Sequence, residues 1–225
     1  MQRFRSIMLS AFTTLSLLAF GSACRHTNAN EDSDLREGGA MVGISTEHPI
    51  EGVSQTACGF SRDAVMAMHT AGYYYVAAPE VLFQGGKNCG RIIEIDVGGA
   101  CYENHSANCT TPAGHASLEQ FRTATQQTPP AHTARFFIAD LCASCLNNAA
   151  TPHLDITDRV YQAGSPLGAL RSYLERNIQA VKQAGTSKTA QPNNLFLQSI
   201  TLGACAPIPR LDSWVGGGQA QCPGN

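Results

Sequence analysis

Charge is what this 225-residue chain has least of: 14% of its residues are charged, against about 25% in an average soluble domain. Fifteen basic and seventeen acidic residues leave a net charge of −2, and no Lys/Arg stripe or acidic tail interrupts the balance. Nothing here steers the chain toward nucleic acid, which would demand a clustered basic face. There is a single tryptophan, Trp214, in a Gly-rich tail. No apolar run approaches the roughly 20 residues a membrane-spanning helix needs. The longest, Ile7 to Phe20, is broken by Ser10, Thr13, Thr14 and Ser16. No internal repeat recurs at a fixed period, and no cofactor is expected.

What is present begins with an export pattern. Arg3 and Arg5 precede the short apolar run, and Gly21-Ser22-Ala23 supplies small residues for cleavage, so residues 1–23 are assigned as a signal peptide. Cys24 follows directly, as at a bacterial lipoprotein junction, where it would carry a lipid anchor. Residues 24–40 form a polar linker whose only large apolar side chain is Leu35. Nine cysteines are an odd number. Setting Cys24 aside leaves eight, enough for complete pairing in an oxidising compartment. Ordinary cleavage just after Cys24 would leave the same eight. Asn104-His-Ser and Asn108-Cys-Thr fit the N-glycosylation pattern.

The folded domain is placed at 41–225, read as one mainly β unit. Met41–Thr46, Tyr73–Ala78, Arg91–Val97, Ala134–Asp140 and Leu195–Leu202 have the β-branched, aromatic or alternating character of strands. Between them, Cys101–His132 is a polar insertion with a short helix expected at Glu119–Thr125. A longer helix is expected from Ser165-Pro166, a cap followed by a first-turn proline, through Leu167, Leu170, Leu174, Ile178 and Val181 to a stop at Gly185.

Three stretches in order carry a family resemblance: Ala57-Cys58-Gly59-Phe60; Val76 to Gly90, ending in Cys89-Gly90; and Phe137 to Cys145 followed by His153-Leu-Asp155-Ile-Thr157. They resemble the double-psi β-barrel domain shared by expansins, family-45 endoglucanases and barwin-like proteins, over about half the chain. The resemblance implies a six-stranded barrel with short helices and disulfide-tied loops, in which the C-terminal helix is an addition. It implies a Cys58–Cys89 disulfide. Cys101 with Cys109, and Cys205 with Cys222, are expected to pair as well. Too few residues remain after the helix for an expansin's second, carbohydrate-binding domain.

The resemblance also places Asp140 and Asp155 on one groove, with Thr46 bonding Asp155. Glycoside cleavage needs one protonated and one ionised carboxylate. The enzymes' base lies near the first strand, where this chain has Glu47. Strand alternation turns Glu47 to the face opposite Thr46, which leaves the non-hydrolytic pattern. Bland roles stand beside these: Asp140 as a turn residue bonding its own backbone, and Asp155 as a cap. Tyr73, Tyr75 and His153 are candidate sugar contacts, the tyrosines by stacking. Cys142-Ala-Ser-Cys145 is followed by turn-like residues rather than a helix and has no second ligand pair, so a structural disulfide fits better than a redox or zinc site. The chain is therefore expected to be a monomeric, extracellular or lipid-anchored surface protein whose partner is cellulose, peptidoglycan or chitin. A glycoside hydrolase or lytic transglycosylase using Asp155 as acid, and a protein-binding or protease-inhibitor module, are the alternatives. Intact-mass measurement of native material should show that residues before Cys24 are missing, with a diacylglycerol-sized increment if Cys24 is lipidated. An unprocessed Met1 start would contradict export.

Overall fold

The computed structural model describes residues 39–50, 55–104, 106–183, 187–206 and 222. The segment assigned as a signal peptide, Cys24, the linker up to residue 38, Gly185 and Trp214 lie outside the described residues, and the first strand begins at Ala40, the last linker position. Among the described residues seven strands form: β1 Ala40–His48, β2 Tyr74–Ala78, β3 Arg91–Cys101, β4 His115–Ser117, β5 Thr133–Leu141, β6 His153–Thr157 and β7 Leu195–Cys205. The described residues also hold α-helices α1 Arg62–Thr70, α2 Glu80–Phe83, α3 Leu118–Thr125 and α4 Gly168–Asn177, with short 3₁₀ turns between elements.

Six of the strands close a barrel in the circuit β1–β6–β2–β5–β3–β7 and back to β1, while β4 pairs only with β3 at the margin. The β1–β6 and β2–β5 pairs are parallel and the other four antiparallel. This is the six-stranded mixed barrel that the resemblance implies. Alternation along β3 sends Ile93, Ile95 and Val97 into the core, and β5 adds Phe136, Phe137 and Ile138, all fully buried or nearly so. Phe60 meets the Phe137 ring edge-on, with centroids 5.5 Å apart. β3 runs four residues past its expected end, through Gly98-Gly99. A Cβ on Gly98 would lie 2.7 Å from the Phe196 ring on β7, so only glycine lets the pairing continue there.

All eight described cysteines are paired: Cys58–Cys89, Cys101–Cys109, Cys142–Cys145 and Cys205–Cys222. The first spans 31 residues, long enough for cross-linking to contribute about 3–4 kcal/mol through the unfolded chain. It also joins two loops that bond the end of β5: the Cys58 amide donates to the Ala139 carbonyl and the Gly90 amide to the Ile138 carbonyl. Cys142–Cys145 closes a turn rather than opening a helix, in line with a structural disulfide.

The helices divide by the quality of their caps. α3 begins on Ser117, whose side chain and that of Gln120 form a reciprocal capping box. The Ser165 cap expected for α4 is not made. Residues 162–167 are turns and bends, and Gly168 packs so closely on the Gln162 carbonyl that a Cβ there would sit 2.3 Å from it. The helix starts at Gly168, ends at Asn177 and passes through a single 3₁₀ turn, so Val181 is buried from an extended segment. α1 had no expectation attached to it; Ser61 caps it by accepting from the Ala64 amide.

α1 also places His69 under β2. Its Nε2 accepts from the Tyr75 amide at 3.0 Å, which requires that nitrogen to be unprotonated. Burial, with the nearby Arg159 charge second, pulls its pKa from 6.5 down to about 4. Between those values the unfolded chain binds more protons than the folded one, so stability rises with pH through this window and is lost as pH falls. Urea titrations should show a loss of about 1–2 kcal/mol from pH 7 to pH 4 after allowance for the ring's partial exposure. His69→Gln should flatten that slope; an unchanged slope would refute the assignment.

Candidate functional site

Parallel pairing of β1 with β6 sets Thr46 directly beside Asp155, with Ile44 beside His153 and His48 beside Thr157. Gly43 permits this approach: the Ile44 amide bonds the Pro152 carbonyl, and a Cβ on Gly43 would stand 2.4 Å from that oxygen. On the far side of β6 lies β2, where Ala77 opposes Asp155; Ala77 also opposes Asp140 on β5. Thr46, Asp155, Ala77 and Asp140 thus form one row across four strands. The two aspartate backbones are two strand spacings apart, roughly 9–10 Å.

The two carboxylates are held in different ways. Asp155 has one oxygen fixed by a hydrogen bond and one beside a histidine. Its Oδ1 accepts from the Thr46 hydroxyl at 2.9 Å, and its Oδ2 lies 3.4 Å from His48 Nδ1, with 20% of the side chain exposed. Thr46 has one proton to give, and the carboxylate takes it. His153 Nε2, 2.8 Å from the same hydroxyl, must therefore donate. His153 Nδ1 then faces the Leu146 amide at 3.4 Å as acceptor. This relay orients the threonine and fixes the neutral tautomer of the histidine. Asp140 has both oxygens engaged. Oδ1 accepts from the Ala57 amide at 2.7 Å and the Leu141 amide at 2.9 Å, and Oδ2 accepts from the Tyr75 hydroxyl at 3.0 Å. Burial, followed by the charge and bond of Asp140 and then the charge of Asp155, pushes the Tyr75 pKa far upward. It stays a phenol and a permanent donor.

The remaining candidates fall elsewhere. Tyr75 and His153 are each 1% exposed, so neither presents a surface to a sugar; one bonds Asp140 and the other acts through Thr46. Tyr75 is covered because its hydroxyl must reach Asp140 beneath the strand end, a demand that alternation alone does not reveal. Tyr73 is partly buried against the core and precedes β2, four residues from Ala77, or roughly 13 Å along a strand. Glu47 faces away from Asp155, as alternation required, and pairs with Arg171 of α4 at 2.8 Å. His48 had no expected role, yet its ring lies over Tyr75 with centroids 6.1 Å apart, and 39% of its side chain is exposed. The signal available in sequence was its spacing: two residues after Thr46, on the same face of the strand. Among the described residues no group of three or more His, Cys, Asp or Glu side chains is placed to hold a metal.

Thr46→Val keeps the shape of the side chain and removes the hydroxyl that His153 and Asp155 both bond. It should lower the unfolding free energy by about 1–3 kcal/mol, while Thr46→Ser should recover most of the loss. Urea midpoints equal to wild type for Thr46→Val would show that the relay is not formed.

No protein-family model matches this chain, and neither does any curated protein sequence. Among solved structures, two of the expansin of Clavibacter michiganensis overlay on it: the apo protein, and a point mutant in complex with cellohexaose. Identity is 16% in both, with TM-scores of 0.35 and 0.34 respectively, over 73% of this chain and 50% of theirs. The overlay thus spans half the length of that expansin. The closed mixed barrel gathers the Ala57-Cys58-Gly59, Cys89-Gly90, Asp140 and His153–Thr157 elements around one row of side chains, which is the barrel fold that the sequence resemblance to expansins implies.

Proposed function

We propose that this domain binds a cell-wall polysaccharide across the outer face at Asp155 and loosens contacts between glycan chains without cutting them. The observation that carries this reading is the unequal use of the two carboxylates. Asp155 is a 20% exposed side chain whose Oδ1 is held by Thr46 and whose Oδ2 has His48 beside it at 3.4 Å, while Asp140 spends its oxygens on two amides and a phenol. Hydrolysis requires a second carboxylate free to activate water or to attack. Asp140 is tied up, and Glu47 is paired on the other face. One available carboxylate suits gripping a hydroxylated chain better than cleaving it. Four disulfides fit an oxidising, extracellular setting. The cellohexaose bound by the Clavibacter expansin mutant makes cellulose the first glycan to try.

Pull-down on insoluble cellulose, chitin and peptidoglycan tests the proposal. Wild type should bind at least one of them and release no reducing ends. Asp155→Asn should weaken that binding tenfold or more with an unchanged circular dichroism spectrum. Reducing sugars released in dependence on Asp155 would establish the hydrolase or lytic transglycosylase instead. Failure to bind any of the three would favour a protein-binding module.

A further inference from the structure

Sugar recognition in a shallow site needs a ring face as well as hydrogen-bonding groups, because a pyranose has an apolar face to cover. Tyr75 is buried and Tyr73 lies at the other end of the strand. His48 stands where such a ring is needed. It ends β1 and shares the outer face with Thr46 and Asp155, since its register partner is Thr157 and theirs are each other. One face of the imidazole packs toward the Tyr75 ring at an interplanar angle of 25°. Tyr75 is itself pinned by its hydroxyl bond to Asp140, so the support beneath His48 does not swing. Nδ1 is directed at Asp155 Oδ2, 3.4 Å away, which orients the ring about its own axis and turns the Nε2 edge away from the carboxylate.

From this geometry we infer that His48 is a ligand-contacting residue, the ring on which one sugar unit of a glycan lies beside Asp155. The inference rests on the glycan-binding reading of the site and adds the residue that would supply its apolar contact. His48 presents one flat face and the Nε2 edge, and Asp155 presents one carboxylate oxygen beside it. A pyranose laid on the imidazole brings its ring hydroxyls to that edge and that oxygen, so the ligand class is a flat, unbranched hexose polymer rather than an acidic or phosphorylated one. A carboxylate at the centre of the site repels an anion, which separates the two classes.

The test uses the full chain and the glycan among insoluble cellulose, chitin and peptidoglycan that wild type retains. His48→Ala should lower affinity about tenfold or more, and His48→Phe, which keeps the flat face and loses the nitrogens, should stay within about threefold of wild type. Thermal midpoints of both variants establish that they are folded. A second readout needs no variant: a soluble oligomer of the retained glycan should shift the His48 ring-proton resonances of the wild-type protein upon titration. Binding by His48→Ala within twofold of wild type, or ring protons unmoved by saturating oligomer, overturns the inference. If Asp155→Asn abolishes binding while His48→Ala does not, the glycan reading stands and this inference alone falls. If wild type binds none of the three glycans, both fall together.

Discussion

The side-by-side pairing of two parallel strands, β1 and β6, is the constraint on which the site depends. Antiparallel partners can arise from a simple hairpin, but parallel ones require the chain to cross the structure between them. Here more than a hundred residues separate Thr46 from Asp155, and every one of the intervening strands belongs to the same barrel or its margin. The barrel is thus the device that brings a hydroxyl from the first strand to a carboxylate on the sixth. The His153–Thr46–Asp155 hydrogen bonds then convert closeness into fixed orientation. A buried imidazole that must donate, a hydroxyl that can pass on only one proton and a carboxylate that can only accept leave one arrangement available.

The second carboxylate shows how the same residue type does a different job when its donors change. Asp140 joins three segments that have no covalent reason to meet: the Cys58 loop through the Ala57 amide, β2 through Tyr75, and its own strand end. The Cys58–Cys89 disulfide reinforces the same corner from below, because both of its loops bond the last residues of β5. Disulfides and amide–carboxylate bonds thereby take over work that ion pairs share in more highly charged domains.

Much of the barrel was legible because its strands carry strong local signals. Arg91–Val97 alternates, Ala134–Asp140 is aromatic and β-branched, and the family resemblance anticipated the Cys58–Cys89 bond. Thr46, Asp140 and Asp155 were legible as a group only through that resemblance; nothing local brings residues from β1, β5 and β6 into one row. The failures have physical causes too. Ser165-Pro166 has the composition of a helix start, but Gly168 packs on the Gln162 carbonyl, and tertiary packing moved the boundary. Tyr75 has the composition of a stacking ring, but Asp140 needs a donor, and satisfying a carboxylate outweighs displaying an aromatic face. His48 was overlooked because its one sequence signal is a two-residue spacing from Thr46, while the Asp155 and Tyr75 neighbours that surround it come from β6 and β2.

The pairing of β1 with β7 closes the barrel, and Ala40 is matched there with Thr201, about 160 residues away. This has a kinetic side. The first strand can complete its ladder only when nearly the whole chain is available, so contact order is high and closure is slow relative to local folding. The Cys101–Cys109 and Cys142–Cys145 links span 8 and 3 residues and can form without waiting for it. A partly made chain would carry β1 as an unpaired edge, a ready template for pairing with another chain. Low charge does little to keep such edges apart, and so the interval before the last strand arrives is when this protein is most exposed to aggregation.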